Sequence, residues 1–68
     1  MKISARNTFE GVVKDLAKGA TTAHVFVDVN GMTFTAAVTN DAVDDLGLRP
    51  GMKVSVVIKS SDVMIATE

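Results

Sequence analysis

The sequence predicts an all-β fold with one short helix: a five-stranded OB-like barrel in the order β-β-β-α-β-β. Three observations carry this expectation. Apolar residues recur mostly with period two, the signature of strands with one buried face. Asn30-Gly31 separates two such runs, and that pair is the strongest short-range hairpin signal, because both central residues of a type I′ turn need positive φ. The alternation is interrupted by a helix-like stretch over residues 39–48, placed where a small OB barrel carries its helix, between the third and fourth strands.

Each element follows from its residues. Residues 8–16 carry Val12 and Val13 among polar neighbours and read as the first strand. Lys18-Gly19-Ala20-Thr21-Thr22 is small and polar, hence a turn or loop. In the second strand, residues 24–29, Val25, Val27 and Val29 share one face, while His24, Phe26 and Asp28 share the other. After the hairpin, Met32, Phe34, Ala36 and Val38 alternate with Thr33, Thr35, Ala37 and Thr39 in the return strand. In the helix, Thr39 or Asn40 can cap the N-terminus and Asp41 suits the first turn. Val43 and Leu46 form its apolar side, and Gly47 is placed to end it in the left-handed conformation. Arg49-Pro50-Gly51 is a turn. Val54, Val56 and Ile58 alternate with Ser55, Val57 and Lys59 in the fourth strand. Ser60-Ser61-Asp62 breaks it, and residues 63–66 are expected to form a last short strand. Phe26 and Val57 fall opposite the main core pattern, an outer apolar surface expected to meet another subunit.

Sixty-eight residues make at most one domain, expected over 1–68. A domain of about 60 residues buries only about 60% of the surface its unfolded chain exposes. Such scaffolds are usually stapled by disulfides, a metal or self-association. With no cysteine and a single histidine, the first two routes are closed, yet 47% of the residues are hydrophobic. A homo-oligomer is therefore expected.

Charge and composition exclude several functions. Seven basic against eight acidic residues, with a pI of about 5.7, give no basic footprint for nucleic acid. Phe9, Phe26 and Phe34 are the only aromatics, too few for base-stacking platforms. No apolar run approaches the roughly 18 residues that span a bilayer. Residues 1–7 carry charge but no apolar h-region, so no signal peptide and a cytoplasmic location are expected.

No enzyme constellation is specified, and the protein is expected not to be an enzyme. There is no thiol nucleophile, and His24 and Asp28, on one strand face, stand about 13 Å apart at about 3.3 Å per residue. Asp41, Asp44 and Asp45 read as a solvated helix face; they lack the glycine and terminal glutamate of a calcium loop. The four methionines are scattered gap-fillers or chain start. What stands out is a set of anion-friendly groups at strand ends. Ser4 and Arg6 precede the first strand, Lys59, Ser60 and Ser61 follow the fourth, and Thr39 and Asn40 begin the helix. Hydroxyls, backbone N–H groups and one or two cations are the donors an oxyanion needs.

Ile3-Ser4-Ala5-Arg6-Asn7, Asn30-Gly31, Leu46-Gly47-Leu48, Pro50-Gly51 and Ile58-Lys59-Ser60 together resemble the molbindins, the stand-alone molybdate-binding Mop family built from the TOBE module. The resemblance covers essentially the whole chain. It implies an OB-like barrel, a homohexamer arranged as a trimer of dimers, and molybdate or tungstate held between subunits, with no direct metal ligands and no separate cofactor. Carried over by residue, it implies an interface site of Ser4, Arg6, Lys59 and Ser60, with Thr39 supplied by a neighbouring subunit. Related TOBE modules place a second hydroxyl further along the helix, where this sequence has Ala42, leaving only a backbone role there. A second site, near the threefold axis, is expected at Gly19, Ala20, Thr21 and Thr22.

The function expected is intracellular oxyanion binding for storage and homeostasis, with self and a small inorganic oxyanion as partners, and neither nucleic acid nor membrane. Competing expectations are an OB-type nucleic-acid module, from fold analogy alone, and a purely structural oligomerisation domain.

Overall fold

The computed structural model covers residues 1–68. Four strands form: β1 (Asn7–Lys18), β2 (Thr22–Val29), β3 (Met32–Thr39) and β4 (Lys53–Ile58). A helix, α1 (Asn40–Leu46), joins β3 to β4, and a 3-10 turn (Ser60–Asp62) follows β4. The strands make one antiparallel sheet in the order β3-β2-β1-β4.

The turn chemistry is as the sequence dictates. Asn30 and Gly31 have φ of 50° and 86°, so the β2–β3 hairpin closes with Val29 opposite Met32. Thr39 caps α1, its Oγ accepting a hydrogen bond from the Ala42 N–H at 3.0 Å. Gly47 ends α1 at φ 64°, and the Leu48 N–H returns to the Val43 carbonyl.

The sheet curls. A bulge interrupts β1 between Val13 and Asp15, and bulges increase local twist and bend a strand. At Gly11 the backbones of β1 and β2 approach so closely that a Cβ would lie 2.7 Å from the Asp28 carbonyl oxygen and from Val27 Cγ1. Curling brings Phe9 of β1 against Phe34 of β3, ring centroids 5.5 Å apart, although β2 lies between those strands. The inner face then carries the core: Val13, Ala23, Val25, Val27 and Val29, with Val43 of α1 packed on them. The alternation in β2 is the expected one, with every second residue from Ala23 to Val29 buried.

The expected fifth strand, over residues 63–66, does not form within the chain, and the barrel is not closed. The 3-10 turn, held by Asp62 N–H to the Lys59 carbonyl and Val63 N–H to the Ser60 carbonyl, leads the chain off the sheet. Val63, Met64 and Ile65 join no strand and are 46%, 91% and 86% exposed. The edges of β3 and β4 are both left unpaired.

Gly11→Ala tests the curl. Overpacking a site with no room for a methyl group typically costs about 1–3 kcal/mol. At fixed protein concentration the urea midpoint is expected to fall accordingly; an unchanged midpoint would mean that the close approach of β1 and β2 is not required.

Candidate functional site

The predicted oxyanion ligands fall into two groups at opposite ends of the sheet. The first is built by the pairing of β1 with β4. Asn7 and Ile58 are the last opposed residues, and the Asn7 side-chain amide donates to the Ile58 carbonyl at 3.2 Å, fastening this end. Arg6 and Lys59 continue past that pair, bringing Ser4 and Arg6 to the same sheet end as Lys59 and Ser60. All four are exposed, and their side chains make no hydrogen bond or ion pair within the chain. Two hydroxyls and two cations without internal partners are a donor set with unused capacity.

The second group gathers where β2 and β3 end beside α1. Thr22 stands opposite Thr39 in the ladder. Asn40 ties the loop before β2 to the helix: its N–H donates to the Thr21 carbonyl at 2.8 Å and its side-chain amide to the Gly19 carbonyl at 2.9 Å. Gly19 is required there, because a Cβ would lie 2.9 Å from the Thr22 carbonyl oxygen that its own N–H binds. The N–H groups of Ala20 and Thr21 and the hydroxyls of Thr21 and Thr22 donate to no group in the chain. Thr39 Oγ accepts the capping bond, so its own proton is free to donate outward. Lys18 sits at this end too, but it is paired with Asp44 at 2.6 Å.

β1 runs between the groups: Asn7 lies beside the first, and Lys18, opposite Ala23, beside the second, so Thr39 sits at the other end of the sheet from Ser4 and Lys59 of the same chain. Neither of the two cavities is lined by these residues; one lies along β1 and β4 near Glu10 and Lys53, the other is the open core between β3 and β4. No cluster of three or more His, Asp or Glu side chains is placed to hold a metal ion.

Two features escaped the sequence reading. Asn40 was legible as a cap candidate but not as the clamp of the 19–22 loop; its Oδ1 is buried without a partner. The backbone role left to Ala42 is also narrower than expected, since its N–H is engaged by Thr39 Oγ. Capping geometry, which depends on which of two adjacent residues turns out of the strand, decides both.

The chain is similar to known proteins over nearly its whole length. The TOBE domain matches residues 3–65. Molybdenum-pterin-binding protein 1 of Clostridium pasteurianum is 44% identical over 66 residues, 96% of this chain and 97% of that protein. The high-resolution structure of a molybdate-binding protein from Sporomusa ovata is 40% identical and superimposes with a TM-score of 0.95, covering 98% of this chain and all of that one. The cytoplasmic molybdate-binding protein ModG, in a form with molybdate bound, is 36% identical with a TM-score of 0.83, over 96% of this chain and 53% of that chain.

Replacing Thr39 separates its capping role from the rest. Thr39→Ala is expected to lower stability by about 0.5–2 kcal/mol and to speed amide exchange at Ala42, while Thr39→Ser keeps most of both. Equal behaviour of the two variants would show that the hydroxyl does not hold the helix start.

Proposed function

Because this chain belongs to the TOBE domain family, we propose that it binds molybdate, and the similar dianion tungstate, for intracellular storage and homeostasis rather than catalysis. The observation that carries the reading is the juxtaposition of Ser4 and Arg6 with Lys59 and Ser60 by the Asn7–Ile58 pairing, all four without internal partners. Residues 1–68 act as one molbindin-like unit. The names of relatives that it matches over their whole length are consistent with this: molybdenum-pterin-binding protein 1 and the Sporomusa ovata molybdate-binding protein. A cytoplasmic location is supported by the likeness to ModG, a cytoplasmic molybdate-binding protein.

The physics suits the ligand. In molybdate the metal is already sheathed in oxygen, so the protein need not ligate it. It needs donors, and hydroxyls, amides, Arg6 and Lys59 supply them. A cation at the site offsets part of the cost of taking a dianion out of water. Local donors decide, so the net charge of −1 is no obstacle.

Each chain presents incomplete sites. The anion is held where Ser4, Arg6, Lys59 and Ser60 of one chain meet Thr39 of another, in a homohexamer built as a trimer of dimers. The Gly19–Thr22 loops, with free N–H groups at Ala20 and Thr21, form a second class of site near the threefold axis. Binding between chains stabilises the assembly by mass action.

Equilibrium dialysis at low salt tests this. Saturable molybdate uptake with competition by tungstate is expected. A hydrogen bond to a charged group contributes about 1.5–3 kcal/mol, so Arg6→Ala and Lys59→Ala are each expected to weaken one class of site by roughly tenfold to hundredfold, sparing the other. No uptake, or equal loss at every site, contradicts the assignment.

A further inference from the structure

The tip of the β2–β3 hairpin carries reactive groups that anion binding does not use. Asn30 and Gly31 close a two-residue loop, both at positive φ and both exposed. The Asn30 side-chain amide makes no hydrogen bond within the chain. The Gly31 N–H makes no backbone hydrogen bond. No atom stands within 4 Å of the place that a Cβ on Gly31 would occupy, so the approach to its nitrogen is open. An asparagine carboxamide carbon and the next backbone nitrogen can close a five-membered ring, and a side chain on the following residue hinders that closure.

The other two asparagines are held and shielded. The Asn7 amide donates to the Ile58 carbonyl at 3.2 Å, and the β-branched Thr8 follows it. The Asn40 amide donates to the Gly19 carbonyl at 2.9 Å, its N–H to the Thr21 carbonyl at 2.8 Å, and Asp41 follows it. Both are half-buried.

We propose that Asn30 is a site of spontaneous deamidation, with water as co-reactant, and that its isoaspartyl product unlatches the hairpin. The Gly31 nitrogen gives its proton to solvent and attacks Cγ of Asn30. An N–Cγ bond forms, the Cγ–Nδ2 bond breaks, and the amide leaves as ammonia with a proton from solvent. One water then opens the succinimide. Breaking the new N–Cγ bond gives aspartate; breaking the old N–C bond gives isoaspartate, whose main chain runs through Cβ and Cγ. Nothing is oxidised or reduced. Either product adds one negative charge to a chain of net charge −1. Aspartate keeps the turn, because its short polar side chain tolerates positive φ as asparagine does. Isoaspartate adds a methylene to a loop whose length sets the Val29–Met32 pairing, so the register beside the turn is lost.

Mass spectrometry of the full-length folded protein, aged at mildly alkaline pH, tests the site. The same chain kept unfolded in guanidinium sets the reaction time. Within that time the folded protein is expected to gain one mass unit, confined to the peptide containing residues 30 and 31, with isoaspartate in excess over aspartate. No gain, or an earlier gain at Asn7 or Asn40, overturns the assignment. Asn30→Gly, which suits positive φ, is expected to abolish the gain, and a gain that persists in it overturns the assignment too. Hydrogen exchange on the aged protein reads the hairpin. Loss of amide protection at Met32 is expected in the isoaspartyl form and not in Asn30→Asp; equal protection in both overturns the unlatching.

Discussion

A curved apolar sheet face that the chain does not cover by itself is the constraint on which the rest depends. Curvature is forced locally, by the β1 bulge after Val13 and by the tight approach at Gly11. It concentrates Val13, Val25, Val27 and Val29 on one concave side. α1 seals one end with Val43, but Val54, Val56 and Val38 remain partly exposed along the opening. Apolar area left in water at about 25 cal/mol per Å² is a driving force for association. No other strand or helix of residues 1–68 covers it.

The same constraint organises the binding groups. A sheet that pairs β4 with the start of β1 and β3 with the start of β2 sends its two donor sets to opposite ends. Within a chain they stay apart; between chains they can meet. In the proposed assembly, association satisfies two needs together, the uncovered interior and the uncompleted oxyanion shell, and the proposed convergence of donors at the contacts is how a net-acidic chain would hold a dianion.

The sequence made much of this legible where local chemistry decides. The period-two valines of β2, the Asn30-Gly31 hairpin, the Thr39 cap and the Gly47 stop all depend on neighbours within a few residues, and all are as expected. β1 is longer than the expected residues 8–16, because the bulge shifts its phase after Val13 and hides Ala17 and Lys18 from a simple pattern. The fifth strand was expected from composition, yet Val63–Ile65 stands unpaired: whether a segment joins a sheet depends on which edge it reaches, and its own residues do not encode that. The grouping of Ser4 and Arg6 with Lys59 and Ser60 likewise needed the register of β1 on β4, though each residue was visible as a donor.

The central claim is that assembly completes both the fold and the oxyanion sites. Native mass spectrometry with and without molybdate addresses it most directly, because subunit number and bound anions are read from one spectrum. A hexamer that takes up several molybdate ions, with no anion retained on any monomer, is the expected result. A monomer that binds molybdate as fully as the assembly would contradict it.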